Sequence, residues 1–229
     1  MNRKPTFLDW NKRKWEYKNS LMYKDGRNEN KWPWYCADLD KDIEDVLNDY
    51  GITSGKILDL GTCSGSQAIE LAKRGFDVVG TDISETALSK ANESAKALPA
   101  SVKVNFLLDD IITTSLEPNQ FDVIIDRGCF HSICLFSTKQ YIENMLKLLK
   151  DTGKIVLKTM SSKETRYLEH DYIGDKPIPM PYPFTPDKLR AAFENHFNIE
   201  KIADTVFYST VIDEPAKAYL TILSKKMPG

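Results

Sequence analysis

Two short stretches of the chain bring together residues able to do chemistry. The first is Ile57-Leu58-Asp59-Leu60-Gly61-Thr62-Cys63-Ser64-Gly65-Ser66. Gly61 and Gly65 stand between an apolar run and a helical one, where glycine permits positive φ and lets a ligand approach the backbone. Asp82 follows 17 residues after Gly65, at the end of a second apolar run. A carboxylate so placed accepts hydrogen bonds from the two hydroxyls of a ribose. These features predict an adenosine-containing cofactor. The second stretch is Asp126-Arg127-Gly128-Cys129-Phe130-His131. His131, with an unperturbed pKa of about 6.5, is a candidate base, and its plainer role is a hydrogen bond that orders the loop backbone. Arg127 is a candidate cation for stabilising a thiolate, and its plainer role is an ion pair with Asp126 or with the N-terminal segment. Cys129 reads as a small packing residue.

A dinucleotide fingerprint needs G-x-G-x-x-G, with helix amides facing a pyrophosphate. The spacing here is Asp59-x-Gly61-x-x-x-Gly65, and no phosphate-binding G-x-x-x-x-G-K-[ST] occurs either. An acid just before the glycine loop suits a cationic amino group better than a phosphate. That points to the methionine end of S-adenosylmethionine, with NAD as the second choice. No metal site is expected: His131, His170 and His196 are scattered, and Cys36, Cys63, Cys129 and Cys134 show no paired CxxC spacing. The cysteines read as reduced thiols of a cytoplasmic protein.

Alternating strands and helices must position these residues. Asp38 is the expected cap of a helix with Leu39, Ile43, Val46, Leu47 and Tyr50 on its apolar face, ended by Gly51. Strands are predicted at 56–60, 76–81, 102–108, 121–126 and 154–158, with one helix holding Ala68, Ile69, Leu71 and Ala72 and stopping near Gly75, and others from Ser84 to about Ala97 and from Thr138 to Lys150. Thr185 caps a further helix, and 197–208 and 215–223 read as two final strands. Apolar strands separated by single helices imply a parallel sheet covered on both faces. The fold class is doubly wound, Rossmann-like α/β.

Two segments break the rhythm. Residues 1–37 form an aromatic, basic N-terminal arm or lid that holds all four tryptophans, Trp10, Trp15, Trp32 and Trp34. Residues 1–31 carry nine Lys/Arg against four Asp/Glu, a local +5, so the rest of the chain carries −7 of the total −2. The arm lacks clean periodicity. An insertion at about 161–186, with five prolines and Tyr167, Tyr172, Tyr182 and Phe184, reads as a long functional loop. The remaining 38–229 form one domain.

With 41% hydrophobic and 28% charged residues over 229 positions, the chain can bury a sizeable core. Near-balanced charge argues against a dedicated nucleic-acid partner. No apolar run approaches the roughly 18 residues of a membrane span, and no membrane partner is expected.

From about Trp34 to Lys225 the chain resembles the class I S-adenosylmethionine-dependent methyltransferases, and within them the small-molecule branch of thiopurine and tellurite methyltransferases. The matching pieces are Asp59–Gly65, Val79-Gly80-Thr81-Asp82-Ile83-Ser84, Phe106–Ile111, Phe121–Gly128 and the Leu148–Lys154 turn. The resemblance implies a seven-stranded sheet whose last strand is antiparallel. It implies that Gly61 and the loop after it (Thr62, Cys63, Ser64, Gly65) hold the methionine part, and Asp59 and Asp126 are expected among the cofactor-binding residues. Asp82 would bind the ribose, Ile83 would pack on the adenine, and Asp110 with the Ile111 amide would read its edge. One departure is Cys63, where the family has a second glycine. Its side chain must point away from the ligand, or the loop must shift.

The implied function is methyl transfer to a small molecule. A thiol or other soft nucleophile is favoured, because a thiol with a reference pKa of about 8.5 needs no dedicated base. Oxygen and nitrogen acceptors stay open. Trp34, Tyr35, Gln67 and Tyr182 are the expected substrate-binding residues. Amino-methylation of DNA bases goes with an Asn/Asp/Ser-Pro-Pro-Tyr/Phe motif, which Asp126-Arg127-Gly128-Cys129 does not match. The alternative is a non-catalytic, cofactor-binding regulatory protein. Either a monomer or a homodimer is compatible.

Overall fold

The computed structural model describes residues 7–23, 33–166, 169–173 and 176–226, so Trp32 and Tyr167 of the aromatic segments lie outside the described residues. Strands β1 (Lys56–Leu60), β2 (Asp77–Asp82), β3 (Val104–Leu108), β4 (Phe121–Arg127), β5 (Leu149–Met160), β8 (Phe197–Val206) and β9 (Lys217–Lys225) make one sheet. Its order is β3-β2-β1-β4-β5-β9-β8. The first five strands pair in parallel, and β9 pairs antiparallel with both β5 and β8. Within this sheet β9, the last strand of the chain, runs against the rest, as expected.

Successive strand side chains point to opposite faces. Leu58 and Ile124 therefore join Tyr141, Met145 and Phe193 on one side, while Ile57, Val123 and Ile125 join Ile43, Leu71 and Ala91 on the other. Helices α2 (Lys41–Asp49), α3 (Ser66–Lys73), α4 (Glu85–Ala95), α5 (Phe130–Leu148) and α6 (Pro186–Phe193) cover these faces. The hydroxyls of Ser84 and Thr185 accept from the third backbone N–H of α4 and α6, satisfying donors that a helix start leaves orphaned.

Several elements differ from expectation. The cap of α2 is Asp40, whose carboxylate accepts from the Asp42 N–H at 3.0 Å, rather than Asp38. Residues Phe7–Tyr23 form a helix, α1. Its inward face includes buried Asn11 and Asn19, so an apolar period had little to report. Helix α5 starts at Phe130, well before Thr138, with non-helical geometry at Ser137 joining two helical pieces. Strand β5 takes in the expected Asp151-Thr152-Gly153 turn, and its register against β4 slips between Phe121 and Val123. Part of the insertion is a hairpin, β6 (Glu169–Ile173) with β7 (Lys176–Met180). Pro177 and Pro179 lie two residues apart, so both missing N–H groups fall on one edge, which a two-stranded ribbon leaves open. Among the described residues no helix is long and apolar enough to cross a membrane.

Candidate active site

Between β1 and β4 the strand order reverses, and the loops leaving the two strands diverge to opposite faces. Their carboxyl ends therefore border a crevice, the usual ligand position in such sheets. The β1 loop is held from below. The Thr62 hydroxyl donates to Asp59 at 2.5 Å, and Asp59 also accepts from the Ala68 N–H. Thr62 N–H donates to the Thr81 carbonyl at 2.8 Å, tying the loop to β2. Gly65, at φ +81, opens α3, and a Cβ there would lie 2.6 Å from the Phe106 ring, so glycine is required on two counts. Ser64 is buried beneath the loop. Asp59 thus organises the loop from a buried position. Burial pushes its pKa up to about 6 against the Thr62 hydrogen bond.

Asp82 closes the loop from the side. Its Oδ2 accepts from the Cys63 N–H at 3.0 Å and its Oδ1 from the Ser84 N–H at 2.9 Å. Each oxygen keeps a lone pair for another donor. Burial raises this carboxyl to about 6 as well. Further along the crevice Ile83 is half-buried, and Asp110 accepts from the Ile112 N–H at 2.9 Å. The Ile111 side chain packs into the core, and its carbonyl accepts from Asn144 of α5 at 2.6 Å.

Cys63 adopts φ +53, in the left-handed region that glycine tolerates best. Its thiol turns to α1, 3.1 Å from the Tyr23 hydroxyl and 3.8 Å from Asn19 Oδ1. Between the two expected outcomes at this departure, the side chain points into the helix. On α1, Glu16 accepts from the Ser84 hydroxyl at 2.6 Å, from the Thr86 N–H at 3.3 Å and from the Thr86 hydroxyl. A carboxylate at the start of α4 also meets the positive end of that helix. Helix α1 therefore lies over the ends of β1 and β2 and beside the glycine loop. Sequence reasoning missed both Glu16 and Asn19.

The β4 end departs most from expectation. Asp126 is fully buried and accepts from the N–H groups of Gly128, Cys129 and Phe130 and from the Tyr141 hydroxyl, at 2.6–3.0 Å. It caps α5, so its expected role as a cofactor contact is corrected to a structural one. Arg127 donates from Nε to Asp40 at 2.7 Å, from Nη1 to the Trp34 carbonyl at 2.6 Å and from Nη2 to the Tyr208 carbonyl. Its guanidinium joins the N-terminal segment to the end of β8, so the catalytic cation becomes a positioning group. Lys158 of β5 is 1% exposed and pairs with Asp40 at 2.8 Å and Asp42 at 2.7 Å. A lysine inside the apolar run Ile155–Met160 was a signal the sequence offered, since a buried charge must be paired.

His131 is corrected too. Its Nδ1 accepts from the Met160 N–H at 3.0 Å, and burial lowers its pKa to about 3, which leaves it a poor base at neutral pH. Gln67, expected at the substrate, accepts from the Asp40 N–H at 2.8 Å and donates to the Cys36 and Asp38 carbonyls, both at 3.0 Å. It pins the 36–40 segment because that segment lacks a strand partner. Tyr182 packs its ring on Phe184, and its hydroxyl accepts from Lys188 at 2.9 Å, so it faces α6. Trp34 is 40% exposed and Tyr35 half-buried, and the Tyr35 carbonyl accepts from Thr210 N–H at 3.0 Å. Cys129 is half-buried overall, with its thiol beside Asp126, Asp82 and Asp110. Burial first, then those three carboxylates, hold its thiol well above the usual range, which removes a thiolate nucleophile.

Residues 53–203 match the family model described as a methyltransferase domain. The chain belongs to this methyltransferase family. An uncharacterized methyltransferase of Schizosaccharomyces pombe is 33% identical over 112 residues, 48% of this chain and 76% of the relative. Thiocyanate methyltransferase 1 of Arabidopsis thaliana is 30% identical over 125 residues, 54% of each chain. In fold, the methyltransferase is similar to the 1,6-didemethyltoxoflavin-N1-methyltransferase of Burkholderia thailandensis, solved with S-adenosylhomocysteine. That match has a TM-score of 0.70 at 14% identity and covers 99% of this chain and 94% of the other.

S-adenosylmethionine is the cofactor of this methyltransferase, and the crevice fits it. The carboxylates of Asp126, Asp82 and Asp110 around Cys129 give the crevice a negative charge density, which suits a cationic sulfonium. Exposed Gly61, at φ +71, leaves backbone uncovered at the mouth. For Cys63→Gly we expect relief of left-handed strain, about 1–2 kcal/mol, to offset the lost thiol contact. Stability measured in urea should stay within about 1 kcal/mol, with faster amide exchange in α1. A net loss above about 2 kcal/mol would mean the thiol contact, rather than the backbone, dominates this position.

Proposed function

We propose that the methyltransferase acts on a small molecule whose accepting atom is a soft nucleophile, a thiol first and oxygen or nitrogen second. The observation that carries this reading is the state of the two polar groups at the β4 end. His131 is held neutral by burial, and Arg127 is bonded through Nε and both terminal nitrogens. Such an edge suits an acceptor that brings its own ionised form, and a thiol with a reference pKa of about 8.5 does so near neutrality. A relative named for thiocyanate supports a sulfur acceptor, although another relative, from Danio rerio, is named a lysine methyltransferase of EEF1A.

In this reading the Gly61–Gly65 loop holds the methionine part, Asp82 the ribose, and Ile83, Asp110 and Ile111 the adenine. The cofactor supplies a methyl group on a cationic sulfur that leaves as a neutral thioether. The chain's own part is mainly placement, since holding two reactants in line can account for several kcal/mol of barrier, on the order of 7–11. Helix α1 and the aromatic residues Trp34 and Tyr35 act as covers that exclude water. The protein is read as cytoplasmic, a monomer or homodimer, without nucleic-acid or membrane partners.

The test is a thermal-shift titration with S-adenosylhomocysteine and with NAD, followed by turnover of simple thiols, phenols and amines. Ligand at a hundred times its dissociation constant adds about 2.7 kcal/mol of stability. A shift with S-adenosylhomocysteine alone, and methylation of thiols ahead of phenols and amines, is the expected result. Preference for amines over thiols would overturn the soft-nucleophile assignment.

A further inference from the structure

We infer that His131 is a hydrogen-bond donor to the methyl acceptor, its Nε2–H holding an electronegative atom that lies beside the atom being methylated. The inference rests on the small-molecule, thiol reading above and narrows it. The acceptor it selects carries a carbonyl oxygen, a ring nitrogen or a comparable group next to its nucleophile.

Three observations lead there. First, Met160 N–H donates to His131 Nδ1 at 3.0 Å. A ring nitrogen that accepts a hydrogen bond bears no proton, so a neutral imidazole must carry its proton on Nε2. Second, the surroundings keep the ring neutral. It stands edge-on to Phe207, with centroids 5.6 Å apart, and the Arg127 guanidinium and Lys158 ammonium lie 5.6 and 5.9 Å from the centroid of that same phenyl ring. Burial disfavours the imidazolium further.

Third, glycine at 128 leaves no side chain of its own over the Nε2 edge of this largely buried ring. Gly128 has φ +105, and a Cβ on it would sit 3.0 Å from His131 Cε1 and 3.1 Å from Nε2. Any other residue at 128 would cover that edge. The loop carrying Gly128 also approaches the glycine loop of β1, since a Cβ on Gly61 would lie 3.4 Å from Cys129 Cβ. Nε2 therefore lies against the β4 loop that borders the crevice. Among the described residues nothing accepts from it, while the His131 carbonyl already accepts from Tyr182 N–H at 2.8 Å. An N–H held in one tautomer, beside the β4 loop and without an acceptor among the described residues, is a ready donor for a ligand.

His131→Asn is the informative variant, because its Oδ1 can still accept from Met160 N–H while Nε2–H is deleted. The probes are thiophenol and methyl 2-mercaptobenzoate, whose carbonyl adjoins the thiol. In the wild type we expect kcat/KM at least tenfold higher for the ester. In His131→Asn that preference should fall to near unity, with S-adenosylhomocysteine affinity unchanged. Nitrogen-15 NMR of the wild type at pH 7 should assign the Nε2–H tautomer to His131. Equal kcat/KM for the two thiols in the wild type, a preference that survives in the variant, or an Nδ1–H or imidazolium signal overturns the inference while the thiol reading stands. Turnover of neither thiol overturns the thiol reading itself. The wild-type ratio and the tautomer decide the matter even if the variant fails to fold.

Discussion

Replacing Asp40 with alanine should cost the protein about 3–5 kcal/mol, the usual penalty for stranding buried charge. Asp40 is wholly buried and accepts from the ammonium of Lys158 with both oxygens at 2.8 Å and from Arg127 Nε at 2.7 Å. It also caps α2 through the Asp42 N–H. The alanine variant leaves Lys158 with Asp42 alone, strips Arg127 of its carboxylate partner and removes a helix cap in the same stroke. Lys158→Met should cost less, because Asp40 keeps Arg127 and Asp42 keeps the Thr205 hydroxyl at 2.6 Å. Urea melts with unchanged m-values would measure both. A loss below about 1 kcal/mol for Asp40→Ala would mean the cluster is solvated and contributes little. Because Arg127 also holds the carbonyls of Trp34 and Tyr208, Arg127→Ala is expected to loosen both covering segments. It should thereby reduce stability and turnover together, with a smaller effect on cofactor affinity.

Asp82→Ala is expected to weaken S-adenosylhomocysteine binding by about 1–3 kcal/mol through the loss of charge-assisted hydrogen bonds. Titration calorimetry measures this directly, and unchanged affinity would remove Asp82 from the ribose site. The pH dependence gives an independent check. Burial holds the Asp82 carboxyl at about 6, above its ordinary value of 3.8. The folded protein therefore binds this proton more tightly than the unfolded chain does. Its contribution to stability is fully present below pH 3.8 and is lost as pH rises through about 6. Ligand binding has the opposite sign, because hydroxyl donors prefer the ionised carboxylate. The stabilisation by S-adenosylhomocysteine should therefore be smaller at pH 5 than at pH 7, and in Asp82→Ala that difference should shrink.

Much of the β1–β2 edge was legible in the sequence because it is local. Asp59, Gly61 and Gly65 lie in one strand–loop–helix unit, and Asp82 ends the next strand. The spacing of apolar runs alone dictates that both strand ends meet at one edge of a parallel sheet. Helix α1 was not legible as a helix, since its inward side carries Asn11, Glu16 and Asn19, and hydrophobic periodicity is blind to a polar face. The start of α5 was missed for a related reason. Asp126 supplies its capping acceptors from four residues upstream, and a side chain that could cap a helix looks the same as one that could bind a ligand.

The β4 side shows where a sequence stops deciding. Arg127, His131 and Gln67 have the right chemistry and stand in the right stretch, yet which partner each side chain meets depends on segments far away in the chain. Asp40 lies 87 residues from Arg127 and 118 from Lys158. Met160, 29 residues on, fixes the tautomer of His131. Residue types and spacing determined the fold, the cofactor and the loops at the ends of β1 and β2, because hydrophobic periodicity and glycine placement act over a few residues. Only the tertiary structure decided which charges were free to act, because charge pairing in a buried setting is settled by whatever opposite charge folding brings within hydrogen-bond reach.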